Sequence, residues 1–237
     1  MFFIYKGIKI SYKSTEGHGE PIVFLHGWGS CGDVFKNMSR ALKNPCVIID
    51  LPPFGESEIP TDFNIFTYAH MVICLLDKAG IKKASFVSHS FGSRIAIIIA
   101  SVRAEIINKL IVISGAGMKP RYGLRYFLLV LKAKIYKRLR IKKELGSADY
   151  RELSPEMRVV FKNVVNEPLE RFAKNIKAET LLVYGKKDKE TPLYMARRLN
   201  RLIKNSRLII LKRAGHFCFL EYAIEVNRTV KSFLEGK

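Results

Sequence analysis

Short, uninterrupted apolar runs recur along this sequence, and each ends in glycine, serine or another turn-forming residue. Because such a run is apolar at every position, it is typical of a strand that is buried on both of its faces, as in a parallel sheet. Helical patterns separate most of the runs, and repeated β–α units favour a mainly parallel sheet with helices on both faces. The runs occupy residues 21–25, 46–49, 85–88, 110–113, 180–184 and 207–211.

The β–α alternation is interrupted once, in the middle of the chain. Residues 121–143 carry nine basic residues and no acidic one, interleaved with apolar residues at helical spacing. Two further helical stretches follow, at about 155–165 and 168–176. We therefore predict one α/β core, residues 1–117 and 178–237, and a helical lid inserted at 118–177. In the core we expect a hairpin at 2–12 and helices at about 32–42, 65–79, 94–102, 192–203 and 219–234.

Composition is typical of a globular chain that buries a substantial core, with 237 residues of which 48% are apolar. No apolar run approaches the length of a membrane span. Residues 1–6 lack the basic leader and cleavage site of a signal peptide. The four cysteines, Cys31, Cys46, Cys74 and Cys218, lie far apart and form no C-x-x-C pair. We therefore expect a cytoplasmic protein with reduced thiols.

The formal net charge is +20. A basic surface attracts nucleic acid, anionic membranes and anionic substrates. No zinc-finger spacing, RNP-type sequence or P-loop accompanies the charge, and lysine is frequent throughout the chain. We therefore expect no specific nucleic-acid partner. No His, Asp or Glu cluster has metal-ligand spacing, and no G-x-G-x-x-G pattern occurs, so no cofactor and no metal are predicted.

A serine stands at the sharpest predicted strand-to-helix turn, in Ser-His-Ser-Phe-Gly at residues 88–92. A serine hydroxyl becomes a useful nucleophile only when it is lifted clear of the backbone and paired with a base. A tight strand–turn–helix provides the lift, and small residues two before and two after the serine allow close packing. Gly92 meets this demand, while Ser88 stands where a G-x-S-x-G pattern has its first glycine. The alternative is an ordinary serine-rich turn at Ser90.

An acid and a base follow later predicted strands. Asp188 follows the strand at 180–184, and His216 follows the strand at 207–211. Ligands bind beyond the carboxyl ends of the strands in an open parallel sheet. A serine nucleophile needs a histidine base, and the histidine needs a carboxylate that fixes its tautomer. Serine, aspartate and histidine at one edge therefore predict a catalytic triad.

Taken together, these motifs resemble the α/β-hydrolase superfamily over nearly the whole chain, the lid excepted. The resemblance implies an α/β-hydrolase fold with a mainly parallel eight-stranded sheet. It makes Ser90 the nucleophile, Asp188 the acid and His216 the general base, with the backbone N–H groups of Phe91 and Trp28 as the oxyanion hole. The motifs that carry it are His-Gly-Trp-Gly at 26–29, Asp-Leu-Pro at 50–52 with Gly55 and Ser57, Ser-His-Ser-Phe-Gly at 88–92, Gly-Lys-Lys-Asp at 185–188, and Gly-His at 215–216.

The resemblance implies a serine hydrolase that acts on a small or medium carboxylic ester, with a small-molecule acyl compound as its substrate. Dehalogenases and epoxide hydrolases of this fold place aspartate at the turn, whereas this chain has Ser90. Aminopeptidase, carbon–carbon bond hydrolase and thioesterase activities stay open, as does a catalytically idle member that binds a small ligand. His26 and His89 are interpreted as structural. Because Ser88 stands where the family usually has glycine, we expect the turn around Ser90 to shift slightly without loss of function.

The predicted lid has one apolar and one strongly basic side. The apolar side is a candidate lining for a lipophilic acyl pocket, and the basic side is a candidate for weak contact with an anionic membrane. The simpler interpretation is a lid helix that packs its apolar face on the core and leaves its basic face solvated. The residues predict no particular oligomeric state.

Overall fold

Eight strands form one sheet in the computed structural model, which describes residues 1–121 and 153–237. The strand order across the sheet is β1-β2-β4-β3-β5-β6-β7-β8. From β4 to β8 all neighbours are parallel, while β2 is antiparallel to both β1 and β4. The predicted mainly parallel eight-stranded sheet is confirmed. The strands are β1 Phe2–Tyr5, β2 Ile8–Thr15, β3 Ile22–Leu25, β4 Cys46–Ile49, β5 Ala84–His89, β6 Ile107–Ile113, β7 Glu179–Gly185 and β8 Ser206–Leu211.

Alternate residues of the central strands enter two separate cores. In β3, Val23 and Leu25 join the core on one face, and Ile22 and Phe24 join the core on the other. All four side chains are fully buried. The runs are apolar at every position because helices cover both faces of the sheet, as expected for parallel strands.

Helices on the two faces flank the central strands. On the first face pack α2 Ile65–Lys78, α3 Phe91–Val102 and α6 Leu193–Leu202, and on the second pack α1 Lys36–Leu42 and α8 Ala223–Leu234. Asn64 caps α2 by accepting hydrogen bonds from the backbone N–H groups of Phe66 and Thr67. Four of these helices lie within regions that the sequence predicts as helical, while α3 begins at Phe91, three residues before the predicted start at residue 94.

Two other predicted helices also differ from the observed ones at their N-terminal ends. The first begins as a 3₁₀ turn at Gly32–Phe35 before α1. The last is divided into α7 Cys218–Glu221 and α8, because Tyr222 leaves the helical region with φ −124° and ψ 46°. The Glu221 carboxylate accepts the Gly215 N–H at 2.9 Å, so α7 is held to the loop that carries His216.

Within the predicted lid the structure describes α4 Pro155–Val165 and α5 Glu170–Ala173. Ser154 caps α4 and accepts a hydrogen bond from the Met157 N–H at 3.3 Å. The basic amphipathic stretch at 121–143 lies almost entirely outside the described residues, so its membrane contact and the lid boundaries at 118–177 stay predictions. In the described ranges, no helix combines the length and apolar character needed to cross a bilayer.

Candidate active site

Ser90 stands at a strained turn between β5 and α3. Its backbone angles are φ 47° and ψ −109°, a conformation that costs a non-glycine residue about 1–3 kcal/mol. Backbone hydrogen bonds hold the turn in place, from the Ser90 N–H to the Ile113 carbonyl and from the Gly92 N–H to the His26 carbonyl. The serine side chain is partly exposed and lines a cavity. The sequence pattern therefore corresponds to a real elbow that presents its serine to a cavity.

Gly92 and Ser88, the small residues two positions after and two before Ser90, make different contacts that explain their presence. A Cβ atom at Gly92 would lie 2.2 Å from the Leu25 carbonyl oxygen, so only glycine fits there. Ser88 is fully buried, and its hydroxyl donates a hydrogen bond to the Ile111 carbonyl of the neighbouring strand at 3.0 Å. A side chain is thus accommodated at the position where glycine is usual, and its one polar group is satisfied.

His216 and Asp188 meet at the same edge of the sheet. The Nδ1 atom of His216 lies 2.9 Å from Asp188 Oδ2, and both side chains are buried. Because a carboxylate only accepts hydrogen bonds, Nδ1 is the donor. The other ring nitrogen, Nε2, therefore faces away from Asp188. Ser90, Asp188 and His216 come from three segments that are far apart in sequence, and Ser90 and His216 line one cavity.

Thr191 supports this pair and was not singled out from the sequence. Its hydroxyl lies 2.7 Å from Asp188 Oδ2 and 3.1 Å from the Ser114 carbonyl, and its N–H donates to Asp188 Oδ1 at 2.9 Å. Burial opposes ionisation of the Asp188 carboxyl, but hydrogen bonds from His216 and Thr191 outweigh it and lower its pKa. The Asp-x-x-Thr spacing, which suits a local carboxylate turn, was the available sequence signal.

Substitution Thr191→Val should lower the free energy of unfolding by about 1–3 kcal/mol, because it removes a buried hydrogen-bond donor. The folded-state pKa of Asp188 lies below its ordinary value of 3.8, so the unfolded chain binds more protons in acid. The stability from Asp188 is therefore present above that ordinary value and lost as the pH falls through the depressed one. Urea unfolding at neutral and acid pH measures both effects. Thr191→Ser should restore most of the loss, and equal stability of all three proteins would contradict this role.

Glu190 occupies the other side of the histidine. Its Oε2 atom lies 3.1 Å from His216 Nε2, and its side chain is 64% exposed. Among the described residues, Ser90 Oγ makes no hydrogen bond, to His216 or to any other group. In this arrangement each ring nitrogen of His216 lies within hydrogen-bond distance of a carboxylate oxygen. A serine-to-histidine proton transfer requires Glu190 to leave Nε2.

Two residues that line the cavity have backbone N–H groups without a hydrogen-bond partner in the described ranges. Within the described part of the chain, the N–H groups of Trp28 and Phe91 donate no hydrogen bond, and both residues line the cavity with Ser90. Phe91 is also the first residue of α3, where the helix dipole favours negative charge. The Trp28 ring packs edge-on against Phe91 at a centroid distance of 5.4 Å, which fixes the two backbone segments relative to each other.

His26 and His89 hold loops in place. His26 Nε2 accepts the Leu51 N–H at 2.8 Å, so the ring is neutral, and burial lowers its pKa to about 4. His89 Nε2 lies 3.1 Å from the His216 carbonyl oxygen, and its ring centroid is 4.8 Å from that of His216. Burial, and then the nearby His216, lower the pKa of His89 to about 3. These contacts fit the structural roles that the sequence suggests for His26 and His89.

The cavity has a volume of about 300 Å³. Its wall is largely apolar and includes residues of α4, so this helix closes one side of the cavity. In the described ranges, no three His, Cys, Asp or Glu side chains group in a way that could hold a metal ion. The charged or titratable lining residues are His89, Arg94, Glu190 and His216, and the apolar ones include Trp28, Phe91, Met118, Phe161, Val164, Met195 and Phe217.

Comparisons with known proteins give one family. The model described as alpha/beta hydrolase fold matches residues 20–140, just over half of the chain, and a second, described as TAP-like protein, matches 161–236. The chain is 28% identical to an AB hydrolase superfamily protein of Bacillus subtilis, covering 92% of both. It is 25% identical to a pimeloyl-[acyl-carrier protein] methyl ester esterase of Aliivibrio fischeri, covering 94% of this chain and 96% of that one. A meta-cleavage product hydrolase from Pseudomonas fluorescens shares the fold, with 21% identity, a TM-score of 0.78, and coverage of 100% of this chain and 97% of that one.

Proposed function

The chain belongs to the α/β-hydrolase superfamily, and from this premise we propose that it is a serine hydrolase of small or medium carboxylic esters, acting through an acyl-Ser90 intermediate. The observation that carries the proposal is that Ser90, on a strained turn, and His216, which is hydrogen-bonded to Asp188, line the same cavity. The similarity to a methyl ester esterase supports the ester as the substrate class.

In the proposed reaction, Ser90 Oγ attacks the ester carbonyl while His216 Nε2 accepts the serine proton. Asp188 holds the ring through Nδ1 and stabilises the imidazolium. The N–H groups of Phe91 and Trp28 bind the oxyanion of the tetrahedral intermediate, and preorganised donors of this kind are worth about 10²–10³-fold each in rate. The imidazolium then protonates the departing alcohol. Water, deprotonated by His216, finally releases the acid and frees Ser90.

Substitution Glu190→Ala should raise kcat/KM for short esters by a few-fold. The Glu190 carboxylate lies 3.1 Å from His216 Nε2, the atom that accepts the serine proton in the proposed reaction, so its removal leaves that atom free. The effect is modest because an exposed ion pair is worth at most about 1 kcal/mol. Initial rates of ester hydrolysis measure it, with Glu225→Ala, an exposed position on α8, as control. An unchanged or lower kcat/KM would show that Glu190 does not obstruct His216.

A matched substrate panel tests the substrate class. We expect turnover of short p-nitrophenyl and methyl esters, and slower turnover of the corresponding thioester, anilide and β-diketone. Preference for the anilide would favour an aminopeptidase, and preference for the β-diketone would favour a carbon–carbon bond hydrolase. A purified, folded protein that turns over none of them would favour the idle, ligand-binding alternative.

We further propose that the protein acts in the cytoplasm on a small-molecule acyl substrate and has no specific nucleic-acid partner. The four cysteines are free, as expected for a reducing compartment, and Cys31 and Cys74 are only partly buried. A cavity of about 300 Å³ suits a small acyl compound.

The candidate membrane contact of the basic lid is tested by sedimentation with anionic vesicles at low salt. Equal recovery of the protein with neutral vesicles would contradict this contact.

A further inference from the structure

Arg94 is a buried cation in the wall of the candidate active site. It lies one helical turn after Ser90 on α3, and helical side chains lean toward the helix N-terminus, here toward the serine. Its side chain lines the cavity with Ser90 and His216, and the residue is only 6% exposed. A positive charge is thus held within one helical turn of the proposed nucleophile.

In the described ranges, the contacts of Arg94 leave its charge without an anionic partner. Its Nη2 atom donates to two backbone carbonyls of the predicted lid, those of Val165 at 3.1 Å and Glu167 at 2.5 Å. Its Nε atom is buried and has no hydrogen-bond partner in residues 1–121 and 153–237. Among the described residues, no carboxylate lies within 4 Å of the guanidinium. Burial lowers the pKa of Arg94 to about 10, although the more distant carboxylates of Glu167 and Glu170 act to raise it. The guanidinium is therefore still charged at neutral pH.

A buried charge that lacks a counter-charge is costly to the folded protein. The two lid carbonyls offset part of the cost, since one belongs to the last residue of α4, where the helix dipole is negative. Neutral donors would satisfy those carbonyls equally well, so they do not account for a cation here. The surrounding cavity wall is apolar, and in such surroundings an arriving anion interacts strongly with a fixed cation.

From these contacts we propose that Arg94 is the binding site for a carboxylate carried by the substrate, so that the preferred esters are half-esters of dicarboxylic acids. The inference rests on the proposed function and narrows its substrate class. Glu190, the carboxylate that lines the cavity, lies beside His216. The opposite charges of Glu190 and Arg94 orient a carboxylated substrate, with its anion directed to Arg94 and its ester to Ser90.

The test compares two methyl esters that differ only at the far end of the acyl chain, monomethyl adipate and methyl hexanoate. The wild-type protein should have the higher kcat/KM for monomethyl adipate, by about 10-fold or more, since a hydrogen bond to a charged group is worth about 1.5–3 kcal/mol. Arg94→Met should remove this preference, because kcat/KM should fall by a larger factor for monomethyl adipate than for methyl hexanoate. Arg94→Lys should retain part of the preference, because it keeps the charge and loses the planar donors.

Arg171→Met is the matched control. Arg171 is also a lid-side cation close to Glu167, but its side chain is 69% exposed and paired with that glutamate. Its substitution removes one positive charge and should leave the preference for monomethyl adipate unchanged. An equal fall with Arg171→Met would attribute the preference to overall basicity, and would overturn the assignment to Arg94.

Two further outcomes would overturn the proposal. An equal loss on both esters with Arg94→Met would show that Arg94 only fixes the lid. A wild-type protein that hydrolyses methyl hexanoate at least as well as monomethyl adipate would refute the carboxylate site without any variant. In both cases the neutral ester is still cleaved by the wild type, so the proposed esterase would stand. Loss of hydrolysis of both esters by the wild type would instead refute the proposed function.

Discussion

Substitution Ser90→Ala should lower kcat/KM for short esters by about 10⁴-fold or more, the scale expected when the nucleophile of a catalytic triad is removed. The reason is chemical, because alanine offers no oxygen to form the acyl intermediate. The fold should survive. Ser90 is in a left-handed conformation that strains serine and alanine equally, and its hydroxyl makes no hydrogen bond among the described residues. Initial rates, measured with circular dichroism and thermal unfolding, check both expectations.

Ser93→Ala provides the matched control for this experiment. Ser93 lies three residues after Ser90, in the first turn of α3. It is fully buried, and its hydroxyl has no hydrogen-bond partner among the described residues. Its substitution removes the same atom from the same segment, so activity should stay within a few-fold of the wild type. A Ser90→Ala protein that keeps more than about a tenth of the activity would be incompatible with the proposed acyl intermediate.

Substitution Asp188→Asn should lower kcat by about 10⁴-fold, as expected when the triad carboxylate becomes an amide. The amide has nearly the same shape but presents an N–H₂ group as well as an oxygen. His216 Nδ1, now 2.9 Å from a carboxylate oxygen, would lose its fixed role as donor and with it the tautomer that leaves Nε2 free to accept a proton. Single-turnover rates on a p-nitrophenyl ester measure the loss at the acylation step.

Asp33→Asn controls for a general effect of removing an aspartate charge. Asp33 is exposed and pairs with Lys13 on the surface, so its substitution should leave kcat unchanged. A loss of less than about tenfold for Asp188→Asn would mean that Asp188 does not orient the base. Comparable losses for the two variants would point to long-range electrostatics instead.

Sequence patterns predicted the parts of this molecule that repeat a simple physical rule. The apolar runs predicted strands because a strand buried on both faces has no polar position, and β3 is buried at all four residues. The order of Ser90, Asp188 and His216 at strand ends predicted their proximity, because parallel strands end at one edge. The pattern also predicts that close packing requires a small residue at position 92. In the structure, a Cβ atom at Gly92 would lie 2.2 Å from the Leu25 carbonyl oxygen.

The parts that sequence could not supply depend on side-chain contacts between distant segments. Nothing in the pattern around Glu190 indicates that its carboxylate reaches His216, 26 positions later. The hydrogen bond from Arg94 to the Val165 carbonyl likewise joins α3 to α4 across 71 positions. The role of Ser88 required the neighbouring strand, since its hydroxyl binds the Ile111 carbonyl. Such contacts depend on how distant segments pack together, and the spacing of residues within one segment does not predict them.

The most direct test of the proposed mechanism is to find the residue that reacts with a fluorophosphonate. This reagent forms a stable adduct with an activated serine, and peptide mass spectrometry locates it. We expect one adduct per chain, on Ser90, with labelling greatly slowed in the Asp188→Asn protein and absent in Ser90→Ala. An unlabelled wild-type protein that is folded, or an adduct on another serine such as Ser93 or Ser114, would contradict the assignment of Ser90 as the nucleophile.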